Sequence, residues 1–379
     1  MHRHLLGLLI VITTLLSGCS DDVDIYEPDP LVDIENQFET ETLWETSVGD
    51  GVIDVTATLN PVYAYDKIFV ADNSGVVAAI NPENGKHFWT QELEVQIGGG
   101  PAVANGLVVV GTQAGEVIAL GAEDGVEKWR KSVSSEIISS PAVGEGFVAV
   151  TSVDGRMTAF DAETGEQKWF YDQIIPALTL RGNSSPIIAG GGVIAGFSNG
   201  KIAVFILQNG QMAWDKTITQ AVGRTEIQRL VDIDIRPQIA GANIYVASYN
   251  GNLVSLDARN GEVQWQRELS THQELNVSEL LLLVTHENSY VSAVNRDNGL
   301  ILWTQKDLHR RRLTAPVSVE DYVVVADFEG YIHWLSRKDG SMLSREHLDS
   351  DGVSSVPLVI DDKIILLSNS GTLYAVKKK

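Results

Sequence analysis

Counting from a proline, this chain places a turn residue 14 positions on, a glycine 24 on and a tryptophan 28 on, and repeats the pattern along its length. Pro61, Gly75, Gly85 and Trp89 form one set, followed by Pro101, Gly115, Gly125 and Trp129 and by Pro141, Gly155, Gly165 and Trp169. Two more are Pro186, Gly200, Gly210 and Trp214, and Pro237, Gly251, Gly261 and Trp265. A sixth copy has Leu275 and Ser289 in the first two places and keeps Gly299 and Trp303; a seventh has Pro316, Gly330 and Gly340, with Ser344 in the Trp place. An eighth starts at Pro357, passes Gly371 and reaches Lys379. A repeat of about 40 residues demands a unit that buries its faces against copies of itself rather than around one conventional core.

Within a unit, runs such as GLVVVGT and EVIALGA are rich in Val, Ile and Ala and are joined by Asp154-Gly155, Asn199-Gly200 or Asn250-Gly251, which are hairpin signals. A second turn, ending in pairs such as Asp124-Gly125 or Asn260-Gly261, leads to the Trp strand. Each unit therefore reads as four antiparallel strands, and the fold as an all-β, eight-bladed β-propeller. The proline opening each first strand lacks an N–H and suits an edge beside a central channel. The eighth unit lacks its Trp strand, and Trp44 in ETLWETSV supplies one, so closure is expected by the N-terminal strand completing the C-terminal blade. The recurring Trp reads as filler between neighbouring sheets rather than as a binding residue. Ser344 is then expected to mark a looser junction.

The distance from proline to tryptophan is constant, so variation is confined to the links between blades. These are 12 residues after Trp89 and Trp129, 10 after Trp265, and 13 after Trp303 and Ser344, but 17 after Trp169 and 23 after Trp214. The link after Trp44 is also 17, but it follows the closing strand. Alternating strand direction puts every link on one face of the disc, where lengthened loops of a repeat array gather binding function. The first long link carries Ile174, Ile175, Leu178 and Leu180 with Arg181; the second carries Arg224, Arg229, Leu230, Asp232 and Asp234. Apolar anchors rimmed by an Arg and paired carboxylates suit a protein-docking patch more than a catalytic cleft.

Residues 1–18 have a charged start at Arg3, an apolar run and small residues before Cys19, the pattern of an export signal too short to span a bilayer. Leu16-Ser17-Gly18-Cys19 matches a lipobox, which makes Cys19, the only Cys, a lipidation site. Residues 19–40 are acidic, contain Pro28 and Pro30, and read as a solvated tether; residues 41–379 are assigned to the propeller. The net charge of -22 argues against nucleic-acid and anionic-lipid binding. The eight His are scattered without metal-ligand spacing, and Asp232-Ile233-Asp234 lacks the loop of a Ca²⁺ site, so no metal is expected. Gly98-Gly99-Gly100 and Gly190-Gly191-Gly192 lack a strand-to-helix context for phosphate, and no serine has a His and acid partner signature. His309-Arg310-Arg311-Arg312, on the link face, reads first as a solvated basic patch and second as a contact for an acidic partner.

DAETGEQKW and DARNGEVQW resemble the repeat of quinoprotein dehydrogenases, eight-bladed propellers that bind pyrroloquinoline quinone (PQQ) with Ca²⁺. The present chain is much shorter and lacks their adjacent cysteines, so a quinone-dependent dehydrogenase is the alternative reading. As a whole the chain is similar to the BamB family, lipoproteins of the outer-membrane β-barrel assembly (BAM) machinery, through LTLRGNSSP, TEIQRLVDID, YNGNLVSLDARNG, LWTQKDL and EGYIHW. That resemblance implies a non-catalytic scaffold without cofactor, anchored to the periplasmic side of the outer membrane, a location that Ser20 after Cys19 suits. It further implies docking on BamA, the barrel subunit with periplasmic domains, through Leu178, Leu180, Arg181, Asp232 and Asp234. Unfolded barrel clients are a further expected partner, through strand addition at an open blade edge.

Overall fold

The computed structural model describes residues 27–51, 57–176, 178–180, 182 and 184–379. Cys19 and the export signal lie outside them, as does Arg181. Eight antiparallel sheets follow one another around a ring, seven from consecutive strands and the eighth ordered Leu358–Ile360, Lys363–Leu367, Thr372–Lys378 and then Thr40–Ser47. The closing pair runs from Thr40 opposite Lys378 to Ser47 opposite Thr372, as the displaced Trp44 required. Blade 2 departs from four strands: Thr58–Leu59 adds in parallel beside Gly99 and Gly100. Gly98 and Gly99 serve this tight packing, because a Cβ on either would run into the backbone carbonyls of Ile137 or Ser139.

The second and third strands of each blade are buried on both faces, as in Lys67–Ala71 and Val76–Ile80, while fourth strands alternate, as in Gln167–Asp172. Seven tryptophans then close seven blade junctions in one way. Each indole N–H donates to a carbonyl of the next blade, from Trp44 to Pro82 at 3.0 Å through Trp303 to Arg337 at 3.0 Å. Each ring lies flat against the next blade's turn glycine. A Cβ on Gly165 would sit 2.7 Å from the Trp129 ring, and its φ of 68° disfavours any side chain. The spacing of 24 and 28 residues is thus one contact seen from its two partners. Pro61, Pro101, Pro141 and Pro357 line a common axial cavity of about 260 Å³, at the channel edge where prolines were expected.

The Ser344 junction is not loose, which corrects the expectation. Ser344 is fully buried and its hydroxyl donates to the Phe38 carbonyl at 2.7 Å. Phe38 packs edge-on against Trp334 and Tyr322, with ring centroids 5.5 and 5.3 Å away, and Trp334 donates to the Thr40 hydroxyl. Residues read as part of a solvated tether therefore stand in for the missing Trp. Gln37 N–H bonds the Leu343 carbonyl, Asn36 exchanges two hydrogen bonds with the Arg345 backbone, and Asp29 N–H reaches His309.

A candidate docking surface on the link face

The two long links leave the fourth strands Gln167–Asp172 and Met212–Thr217 and enter blades 4 and 5 at Ile187–Ala189 and Gln238–Ala240. They are held together rather than lying independently on the face. Ser184 Oγ donates to the Ile235 carbonyl at 2.7 Å, and Leu180 N–H reaches Asp232 Oδ1 at 3.4 Å. Tyr249 N–H bonds the Asp232 carbonyl, and the Asn250 amide donates to Leu230. Beneath, Val231, Ile233 and Ile235 are buried, Ile233 and Ile235 within the apolar core between blades 4 and 5.

Asp232 and Asp234 do not rim the patch, contrary to the sequence reading. Asp232 is 1% exposed and Asp234 largely covered, because the first link folds over them; a Cβ on Gly182 would strike the Asp234 carboxylate. Burial pushes Asp232 up to about 6, against the opposing effect of the Leu180 N–H and the Ser198 hydroxyl. Burial also pushes Asp234 up to about 7, with the charge of Asp232 adding to it. Asp232 Oδ2 and Asp234 Oδ1 have no hydrogen-bond partner among the described residues. The pair is a polar floor under the first link, and any approach to it passes that link.

Above this floor several large apolar side chains face solvent. Ile174 is 87% and Leu178 44% exposed, with Ile175 beside them and Leu180 half-buried. From the second link Val222 and Ile227 are exposed, and neither stood out in the sequence, although both are apolar residues among polar neighbours in AVGRTEIQR. Leu230, which did stand out, is buried. Arg229 is engaged within its own link, with Glu226 at 3.3 Å and the Gly223 carbonyl, across the short 3₁₀ turn Ile227–Arg229.

The axial cavity is a concave site apart from the links. Its charged lining groups are Arg236 and Glu274, and burial pushes Glu274 up while Arg236 opposes that shift. Ca²⁺ takes about six to eight oxygen ligands. The cavity has one carboxylate amid Pro, Val and Ala, and among the described residues no three His, Cys, Asp or Glu converge. These donors do not fit a quinone and Ca²⁺ pair.

Comparison with known proteins agrees with the fold. Residues 72–305 and 287–379 match the family described as outer membrane protein assembly factor BamB. A protein of that name from Salmonella typhimurium is 39% identical over 385 residues, covering 98% of each chain. One from Kangiella koreensis is 44% identical over 369 residues, covering 97% of this chain and 95% of its own. The crystal structure of BamB from Moraxella catarrhalis superimposes with a TM-score of 0.80 at 26% identity, over 89% of this chain and all of that one. With a shared fold, near-complete coverage and this level of identity, the chain belongs to the BamB family of outer-membrane protein assembly factors.

Proposed function

We propose that this protein is a non-catalytic scaffold of the outer-membrane β-barrel assembly machinery, lipid-anchored through Cys19 on the periplasmic side, that docks BamA through the link face of blades 3 to 5. The observation that carries the reading is the pair of adjacent long links, which present Ile174, Leu178, Val222 and Ile227 to solvent while bonded to each other below. Large exposed apolar side chains gathered in one place mark interaction surfaces. Cross-links between the two loops order them in advance, which lowers the entropy lost on association. The names of the relatives support the assembly role, and the resemblance of LTLRGNSSP and TEIQRLVDID supports BamA as the partner.

In this reading Leu178 and the half-buried Leu180 are anchors, Arg181 sets orientation, and Asp232, with Asp234 beside it, acts from beneath by accepting from the Leu180 N–H of the first link. Replacing Leu178, Leu180 and Arg181 together by alanine should abolish co-purification of BamA while circular dichroism and the melting temperature remain those of the parent. Undiminished co-purification from a folded triple variant would refute the assignment.

A further inference from the structure

The N-terminal segment does more than fill the Ser344 junction: it decides from which face the chain leaves the disc. Thr40 pairs with Lys378, and Lys379 N–H bonds the Glu39 carbonyl, so the closing strand begins on the face opposite the links. Left to itself, the preceding chain would depart there. Instead it turns back along the outer edge of blade 7, antiparallel to Met342–His347: Gln37 bonds Leu343, Asn36 brackets the Arg345 backbone, and the Arg345 guanidinium bonds the Val32 carbonyl. It emerges at Asp29, whose N–H bonds the His309 carbonyl and whose carboxylate lies 3.3 Å from the His309 ring. His309 belongs to the link between blades 6 and 7. The exit has therefore been carried across the thickness of the disc to the link face.

The surroundings of that exit are unusual in a chain of net charge -22. Arg311 of the same link is not solvated, contrary to the sequence reading: it is buried against Asp327 and Glu329 and holds the link. Lys306 and Arg312 are exposed and Arg310 is half-buried; none of the three has an ion-pair partner among the described residues. Cys19 and Asp29 are ten positions apart, a reach of about 35 Å at most. A tether of at most that reach, ending beside cations whose only described partners are the rings of Tyr290 and Phe328, lets them approach the surface in which its other end is anchored, where anionic headgroups attract them.

We infer that Asp29–Glu39 is a latch that holds the blade 6 to 7 side of the link face against the phospholipid surface, with Lys306, Arg310 and Arg312 contacting acidic headgroups. The inference rests on the reading of Cys19 as the lipidated residue. The test uses the full lipidated protein in phosphatidylcholine vesicles, with and without phosphatidylglycerol. Cys19 is the only cysteine, so a single fluorophore can be placed through Asp307→Cys on the link face or Glu279→Cys on the opposite face, and quenched by a headgroup-labelled lipid. Quenching severalfold stronger at position 307 than at 279 is expected, with the contrast lost when Asn36→Ala and Phe38→Ala release the latch. Arg310→Glu with Arg312→Glu, on a link held chiefly by the buried Arg311, should weaken quenching at 307 on vesicles containing phosphatidylglycerol and leave it unchanged on neutral ones. Equal quenching at the two positions, or stronger quenching at 279, overturns the inference even though the protein floats with vesicles. Retention of the contrast in the released variant overturns the role of the latch, and insensitivity to the charge reversal overturns that of the arginines. Failure of the protein to float overturns the anchor reading itself, and the inference with it.

Discussion

Seven blade junctions are alike, whereas two adjacent links, after Trp169 and Trp214, are lengthened and expose large apolar residues. At the junctions, a Trp and a Gly occupy fixed positions and make one contact seven times, with indole to carbonyl distances between 2.7 and 3.2 Å. At the links after Trp169 and Trp214, length grows and large apolar residues face solvent. In an array whose units bury only their neighbours, what recurs is what each interface needs for stability. What departs from the repeat has been released from that need, and here it departs on one face and in adjoining blades. The eighth junction fits the same logic from the other side: where the Trp is lost at Ser344, Phe38 and Trp334 restore the packing.

The largest effect that sharpens this contrast should come from Trp303→Ala, remote from the long links. Its ring covers Gly340 and its N–H has a single acceptor, so truncation should lower unfolding stability by about 3–5 kcal/mol. Chemical denaturation measures this, and BamA binding by the folded fraction should be unchanged. Phe38→Ala, at the substitute junction, should cost about 2 kcal/mol, less than the Trp because Phe38 is only partly buried; a negligible loss would mean that the N-terminal segment does not seal that junction.

The smallest effect is a matter of pH. Asp234 is raised to about 7 in the folded protein, above its ordinary value near 4 in the unfolded chain. The folded state therefore holds that proton more tightly, and the associated stability is fully present below about pH 4 and lost as the pH rises through about 7. Asp234→Asn should remove this dependence and gain about 1–2 kcal/mol relative to the parent at pH 8, with the difference vanishing toward pH 4. A variant equally affected at both pH values would show that the carboxylate is not held uncompensated.

Most of the architecture was legible because Pro, Gly and Trp each have a geometric reason to sit at fixed distances: a channel edge, a positive-φ turn and a junction. The N-terminal latch was not, since an acidic stretch with two prolines has no period and its partner Arg345 lies more than 300 positions away. The long links were legible as lengths and as apolar content, yet the floor beneath them was not. The alternation Asp232-Ile233-Asp234-Ile235 shows that the two carboxylates share a side, but which side is covered depends on Leu180 and Gly182, some 50 residues earlier. Exposure was likewise misjudged at Leu230, which packs downward, and overlooked at Val222 and Ile227.

The central claim is that departures from the repeat, not the repeat itself, bind the partner. Calorimetric titration of BamA's periplasmic domains into the Leu178→Ala variant tests it most directly, with Trp303→Ala as the reference. Binding by Leu178→Ala should weaken by about 2 kcal/mol, roughly thirtyfold, at an unchanged Tm, while Trp303→Ala should bind as the parent does at a lowered Tm. Parent-like affinity in Leu178→Ala, with the loss appearing in Trp303→Ala, would contradict it.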